Sequence, residues 1–224
     1  MSDNAHYLRL FPLQMVLFPG IRVPLHIFEE RYKLMINECV DKQEPFGIIL
    51  SSDSGAPVPV EVEIGTSALV TEVEKLEEGR MNIVVEGGRR FRVRSYQTDR
   101  PYLGAEVDFL DPDITPDIRQ SGLVDELSVI FSDYVEKLVL LSGNKLQELY
   151  LPDDVELLSS VVASVLAVNM NERQEMLEEL DMERLLARQL DIIQKQLPLL
   201  KEKPGKKRRA RRFVTDEDPP FSTN

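Results

Sequence analysis

Between Leu8 and Met35 the chain reads LRLFPLQMVLFPGIRVPLHIFEERYKLM, three apolar runs broken by Pro12, by Pro19-Gly20 and by Pro24. Proline fixes φ near about −65° and has no N–H to give to a ladder, so runs punctuated this way belong to edge strands or strand ends. The stretch therefore reads as short strands with a turn at Pro19-Gly20. At Phe28 the period changes. Phe28, Tyr32, Met35, Ile36 and Cys39 recur at helical spacing, which predicts an amphipathic helix with Phe28 in its buried stripe. Glu29 and Glu30 fall in its first turn, where the positive end of the helix dipole favours acids.

Downstream, Phe46–Leu50 (FGIIL) reads as a short buried strand, residues 51–60 as a polar loop, and residues 61–74 as an alternating strand. Glu77–Arg80 reads as a turn. Met81–Val85 and Phe91–Val93 flank Gly87-Gly88, which reads as a hairpin turn because both glycines tolerate positive φ. Leu103–Leu110 is a further strand, ended by Asp111-Pro112-Asp113. Beyond residue 115 the spacing is helical: one helix from Ile118 to Leu141, a second after Asp153-Asp154, a third behind a capping box of Asn171 and Gln174, and a fourth capped by Asp181 and stopped by Pro198. Strands followed by helices predict an α+β fold. The expected partition is a β-rich subdomain over 1–115, a helical bundle over 116–200, and a disordered, basic-then-acidic tail over 201–224.

Charge narrows the partners. The chain carries a net −12, yet residues 201–212, KEKPGKKRRARR, hold eight of its 27 basic residues. Residues 1–200 alone therefore stand near −16, a body that repels a phosphate backbone. Nucleic acid is an expected partner only through the tail. No apolar run approaches the ~20 residues a membrane helix needs, and the opening MSDNAHYLRL lacks the pattern of a signal peptide. With Cys39 the only cysteine, these features point to the cytoplasm.

A search for chemistry returns little. His6, His26 and Cys39 have no metal-like spacing. A Cys39–His26 nucleophile pair is weighed against Cys39 as a small hydrophobe on an apolar helix face, and the second reading is preferred. With 39 acids, a carboxylate pair carries no specificity. Arg90, Arg92 and Arg94 share one face of a strand, with Glu72, Glu74 and Glu86 on candidate neighbours. That is read as a solvated charge-paired face, with an anion or peptide-carboxylate site as the alternative. No cofactor is expected.

Four pieces in order carry a resemblance: LFPLQMVLFPG with VPLHIFEERYKLMI, then FGIIL, then EIGTSALVTEVEKLEEGRMNIVVEGGRRFRV, then the Leu-rich helical part. Over about residues 8–200 the chain resembles the N-terminal substrate-binding domain of the Lon protease family. The resemblance implies a PUA-like β pseudobarrel followed by an α-helical bundle. In that family the domain recruits unfolded or tagged proteins to an ATP-driven unfoldase and a peptidase on the same chain. Here the sequence has no GxxxxGK[ST] phosphate loop and no serine-lysine peptidase region. The implied function is non-catalytic recognition of unfolded or exposed-apolar polypeptide, as an adaptor or holdase in protein quality control. Phe18, Pro19, Ile21, Pro24 and Phe28 are the candidate contact surface, and a homo-oligomer is compatible with the apolar helical faces. The alternatives are RNA binding through a PUA-like barrel and the basic tail, or a small hydrolase at the subdomain junction.

Overall fold

The computed structural model describes residues 6–51, 63–144 and 148–200. The expected loop from residue 52, the expected strand positions 61 and 62, and the expected tail lie outside these residues. Among the described residues six strands and five α-helices follow in an α+β order. They are β1 (His6–Leu13), β2 (Arg22–Ile27), α1 (Glu30–Lys42), β3 (Phe46–Leu50), β4 (Ile64–Lys75), β5 (Met81–Gln97), β6 (Leu103–Leu110), α2 (Leu123–Leu141), α3 (Val155–Val165), α4 (Met170–Glu178) and α5 (Met182–Leu200). The chain divides into two compact units, Met1–Pro112 with Ala167–Leu180, and Asp113–Leu166 with Asp181–Asn224.

In the first unit the strands run in the order β2-β5-β4-β3-β1-β6, and β6 also pairs with β5, which closes a ring. The 17-residue β5 makes this possible. Its first part, Met81–Glu86, pairs antiparallel with β2, and its last part, Arg90–Gln97, pairs with β6. β4 runs along the other side of both. One long strand thus belongs to the ring at one end and carries the appended β2 at the other. Inside the ring sit Leu8, Leu10, Ile49, Phe91, Leu103, Ala105 and Val107. Gly47 and Gly65 make room for the Phe91 ring, since a Cβ at either would lie 2.7 Å or 2.6 Å from Phe91 Cζ. The second cluster packs Tyr32, Met35, Ile36 and Cys39 of α1 against Phe11, Phe46, Ile48, Met81, Ile83 and Val85. Burying each large apolar side chain stabilises the fold by about 1.5–3 kcal/mol.

Gly87-Gly88 is not a hairpin turn. β5 passes through both glycines without positive φ. The chain needs a glycine at 87 because the Leu17–Ile21 turn crosses over it. Gly20 N–H donates to the Gly87 carbonyl at 2.8 Å, Gly87 N–H donates to the Ile21 carbonyl at 3.0 Å, and a Cβ at 87 would lie 2.2 Å from the Phe18 carbonyl oxygen. Thr66 fixes the same turn, its hydroxyl donating to the Leu17 carbonyl at 2.6 Å.

The partition differs from the linear boundary expected near residue 115. α4 lies in the helical half of the sequence but belongs to the strand unit. Its capping box is Asn169 with Glu172, two residues before the expected pair. Gln174 instead turns inward, its Nε2 donating to the Ile64 carbonyl of β4 at 2.9 Å. In the second unit, α2 and α3 each pack on α5. Asp154 caps α3 and Asp181 caps α5 through side-chain acceptors. α5 holds Pro198 in its last turn and runs to Leu200, past the expected stop.

Candidate functional site

The five residues expected as a contact surface divide by environment. Phe18 and Pro19 are buried, held down by the turn that crosses Gly87. Ile21 is half-buried and packs against the core. Pro24 and Phe28 are exposed. Phe28 is the reverse of the expected core residue: α1 begins at Glu30, so Phe28 precedes the helix and stands 61% exposed. Its ring stacks on His26 with centroids 5.9 Å apart.

β2 gives these residues their setting. Among the described residues its only strand partner is β5, so its other side is a free sheet edge. Antiparallel partners face the same side of a sheet. The register Arg22↔Glu86, Pro24↔Val84 and His26↔Asn82 therefore builds rows continued on β4 by Glu72, opposite Val84, and Glu74, opposite Asn82. The rows are bonded. His26 Nδ1 lies 2.7 Å from Asn82 Oδ1, and Asn82 Nδ2 donates to Glu74 Oε2 at 2.7 Å. Arg22 Nη2 donates to Glu72 Oε1 at 2.6 Å. The inward face of β2, with Val23, Leu25 and Ile27, packs on the core. The edge thus has a hydrogen-bonded polar ladder behind it, with Pro24 and Phe28 exposed beside it. Pro24 has no N–H, which removes one main-chain donor from the strand and guards it against indiscriminate pairing.

Arg90, Arg92 and Arg94 are not one solvated face. Arg90 is buried, 1% exposed, beneath α4, and its Nε donates to the Leu177 carbonyl at 3.1 Å. Arg92 is exposed, and Arg94, at the register shift between Val93 and Ser95, donates through Nε to Asp108 Oδ2 at 2.5 Å. The acids expected opposite them serve other partners, Glu72 with Arg22 and Glu74 with Asn82. Strand alternation alone placed the three arginines on one side. Which strand lies beside each, and which helix covers it, is set by pairings tens of residues away.

A second polar cluster escaped notice in the sequence. Arg9, 5% exposed, donates through Nε to Glu38 at 3.2 Å and through Nη1 to Glu44 at 2.9 Å. The Tyr102 hydroxyl donates to the same Glu38 oxygen at 2.7 Å, and Arg100 reaches it at 3.3 Å. The Tyr102 bond, reinforced by Arg9 against a smaller desolvation effect, holds the Glu38 carboxyl below its usual range. Nearby Cys39 is buried, and desolvation pushes its thiol up to about 11, with Arg9 opposing only in part. A thiol that keeps its proton at neutral pH is a poor nucleophile. Among the described residues no three His, Cys, Asp or Glu side chains are grouped so as to hold a metal ion, and no helix is long and apolar enough to cross a membrane.

The first unit is thus a closed strand ring with an appended edge strand, to which one of the later helices, α4, returns. Residues 7–195 match the model of the ATP-dependent protease La (LON) substrate-binding domain, and the chain belongs to that family. It is 26% identical over 198 residues to the Lon protease of Syntrophus aciditrophicus, covering 83% of this chain and 24% of that protein. It is 29% identical over 199 residues to the Lon protease of Brucella abortus, covering 85% and 24%. The chain thus spans about a quarter of the length of these relatives. A crystal structure of a Lon N-terminal domain protein from Xanthomonas campestris superposes with a TM-score of 0.63 at 26% identity, covering 83% of this chain and 98% of that one. The N-terminal domain of the Mycobacterium avium complex Lon protease shares the fold, with a TM-score of 0.61 at 14% identity.

Proposed function

We propose that this chain is a non-catalytic module that binds unfolded or exposed-apolar polypeptide along the β2 edge, as an adaptor or holdase in protein quality control. The observation that carries the reading is the free side of β2 with Phe28 61% exposed beside it, in a chain of the substrate-binding-domain family. An extended peptide laid beside β2 gains main-chain hydrogen bonds on either side of Pro24 and buries apolar side chains on Pro24 and Phe28. Ile21 forms the half-buried floor at one end. The affinity comes from a few aromatic and apolar contacts, so it tolerates many sequences and stays modest.

The test is fluorescence anisotropy with a labelled, permanently unfolded polypeptide, alongside suppression of its aggregation measured by light scattering. Phe28→Ala and Pro24→Ser should each weaken binding about 5–10-fold, in the range of an interface anchor worth about 1–1.4 kcal/mol. Asp191→Ala, at an exposed position of α5, should change nothing. Equal binding by wild type and the Phe28 variant would move the contact surface elsewhere, and no binding by wild type would remove the function.

A further inference from the structure

The second unit carries a groove unrelated to the β2 edge. It is a shallow, open depression of about 520 Å³ lined by Asp125, Glu126, Val129, Ile130 and Asp133 of α2 and by Leu197 of α5. Residues 126, 129, 130 and 133 fall on one stripe of α2. The floor is apolar, and Val129 is 75% exposed. Lys137 neutralises Asp133. Asp125 and Glu126 have no ion-pair partner among the described residues.

We propose that this groove is the seat of the chain's own C-terminal segment, with the basic run Lys206–Arg212 against Asp125 and Glu126, and Phe213-Val214 on Val129, Ile130 and Leu197. Two features select this occupant. Its chemistry is complementary: six of the seven residues Lys206–Arg212 are basic and an apolar pair follows directly, opposite an apolar floor rimmed by acids. Its attachment is adjacent: Leu197 lines the groove and the tail continues from Leu200. The five residues 201–205 reach about 17 Å when extended, and Pro204-Gly205 is a turn pair able to reverse them. The stretch of α2 from Asp125 to Asp133 rises only about 12 Å, within that reach. A tether this short gives an effective concentration of the order of mM, so even a weak contact is mostly formed.

The experiment places a nitroxide at Val129→Cys in the full chain and follows the tail amides by NMR. At low salt the resonances of residues 206–214 should lose about threefold or more of their intensity, and recover at about 0.5 M salt, where the Debye length falls to a few Å. In a mixture of nitroxide-bearing unlabelled chain and isotope-labelled wild type, the loss should vanish. A loss persisting in the mixture would assign the groove to a second copy and overturn the proposal, as would intact tail signals at low salt. Because the label alters the floor, a label-free measurement accompanies it: trypsin should cut within Lys206–Arg212 about fivefold more slowly in wild type than in an Asp125→Lys, Glu126→Lys variant with an unchanged melting curve. Equal cleavage rates would also overturn the proposal.

Discussion

A methyl group at position 87 has nowhere to go. It would lie 2.2 Å from the Phe18 carbonyl oxygen, which belongs to backbone held by two hydrogen bonds to Gly87 itself. Gly87→Ala should therefore lower the stability by about 2–4 kcal/mol, the range for forced backbone displacement in a packed core, read as a drop in the urea midpoint. Gly88→Ala makes its tight contact, 2.7 Å, with the Ser67 hydroxyl, which can rotate away at the loss of its hydrogen bond to the Arg89 carbonyl, and should cost less. Were the two variants equally stable, the crossing of the Leu17–Ile21 turn over β5 would be wrong. Glu38 supplies a second test at this scale, through pH. Its folded pKa is depressed, chiefly by the Tyr102 hydroxyl and then by Arg9. Such a carboxylate stabilises the fold fully above its unfolded value of about 4.3, and that contribution disappears as pH falls through the lower folded value. Glu38→Gln should thus cost stability near neutral pH and progressively less below about pH 4, with urea midpoints converging toward the wild type in acid. A constant gap between the two across that window would contradict the assignment.

Elements were legible in proportion to how local their causes are. The α1 stripe of Tyr32, Met35, Ile36 and Cys39 is a 3.6-residue pattern, and all four residues are buried as read. Asp154 and Asp181 cap helices because a short acceptor side chain before an apolar period has one local use. Proline lacks a donor, so a proline-broken run marks a strand end or an edge: Pro12 lies next to the last residue of β1, and Pro24 lies in the edge strand β2. The α+β class and the family followed from the same runs in order. What failed was set at long range. Gly87-Gly88 looks like a turn until another segment is known to cross it. Phe28 fits the helical period, yet α1 starts two residues later and leaves it outside. Arg90 and Arg92 lie on alternate positions of β5, yet α4, more than 80 residues away in sequence, covers only Arg90. The exposure of the proposed contact residues divides for the same reason: Pro24 and Phe28 reach solvent, whereas Phe18 and Pro19 are pinned by a contact that no local pattern encodes.

At the scale of the whole molecule, the two compact units are not consecutive in the chain, and this has a measurable consequence. The strand unit takes α4 from the helical half. Two buried polar groups depend on that loan: Arg90, whose Nε donates to the Leu177 carbonyl, and Gln174, whose Nε2 donates to the Ile64 carbonyl. Met176 and Leu177 are buried with them. A fragment ending near residue 115, where composition alone divides the chain, would expose the surface that α4 covers and strip Arg90 of its carbonyl partner. Each hydrogen bond exchanged for one to water costs about 0.5–1.5 kcal/mol, and the lost apolar burial adds about 1.5–3 kcal/mol for each large side chain. Small domains have total stabilities of only about 5–15 kcal/mol, so the fragment should melt well below the full chain or aggregate. A synthetic peptide spanning residues 167–180 added in trans should raise its melting temperature in a concentration-dependent way, since anything that binds only the folded state stabilises it by mass action. The same peptide with Leu177→Asp should not. A fragment of residues 1–115 as stable as the intact chain, indifferent to the peptide, would mean that α4 rests on the strand unit without supporting it.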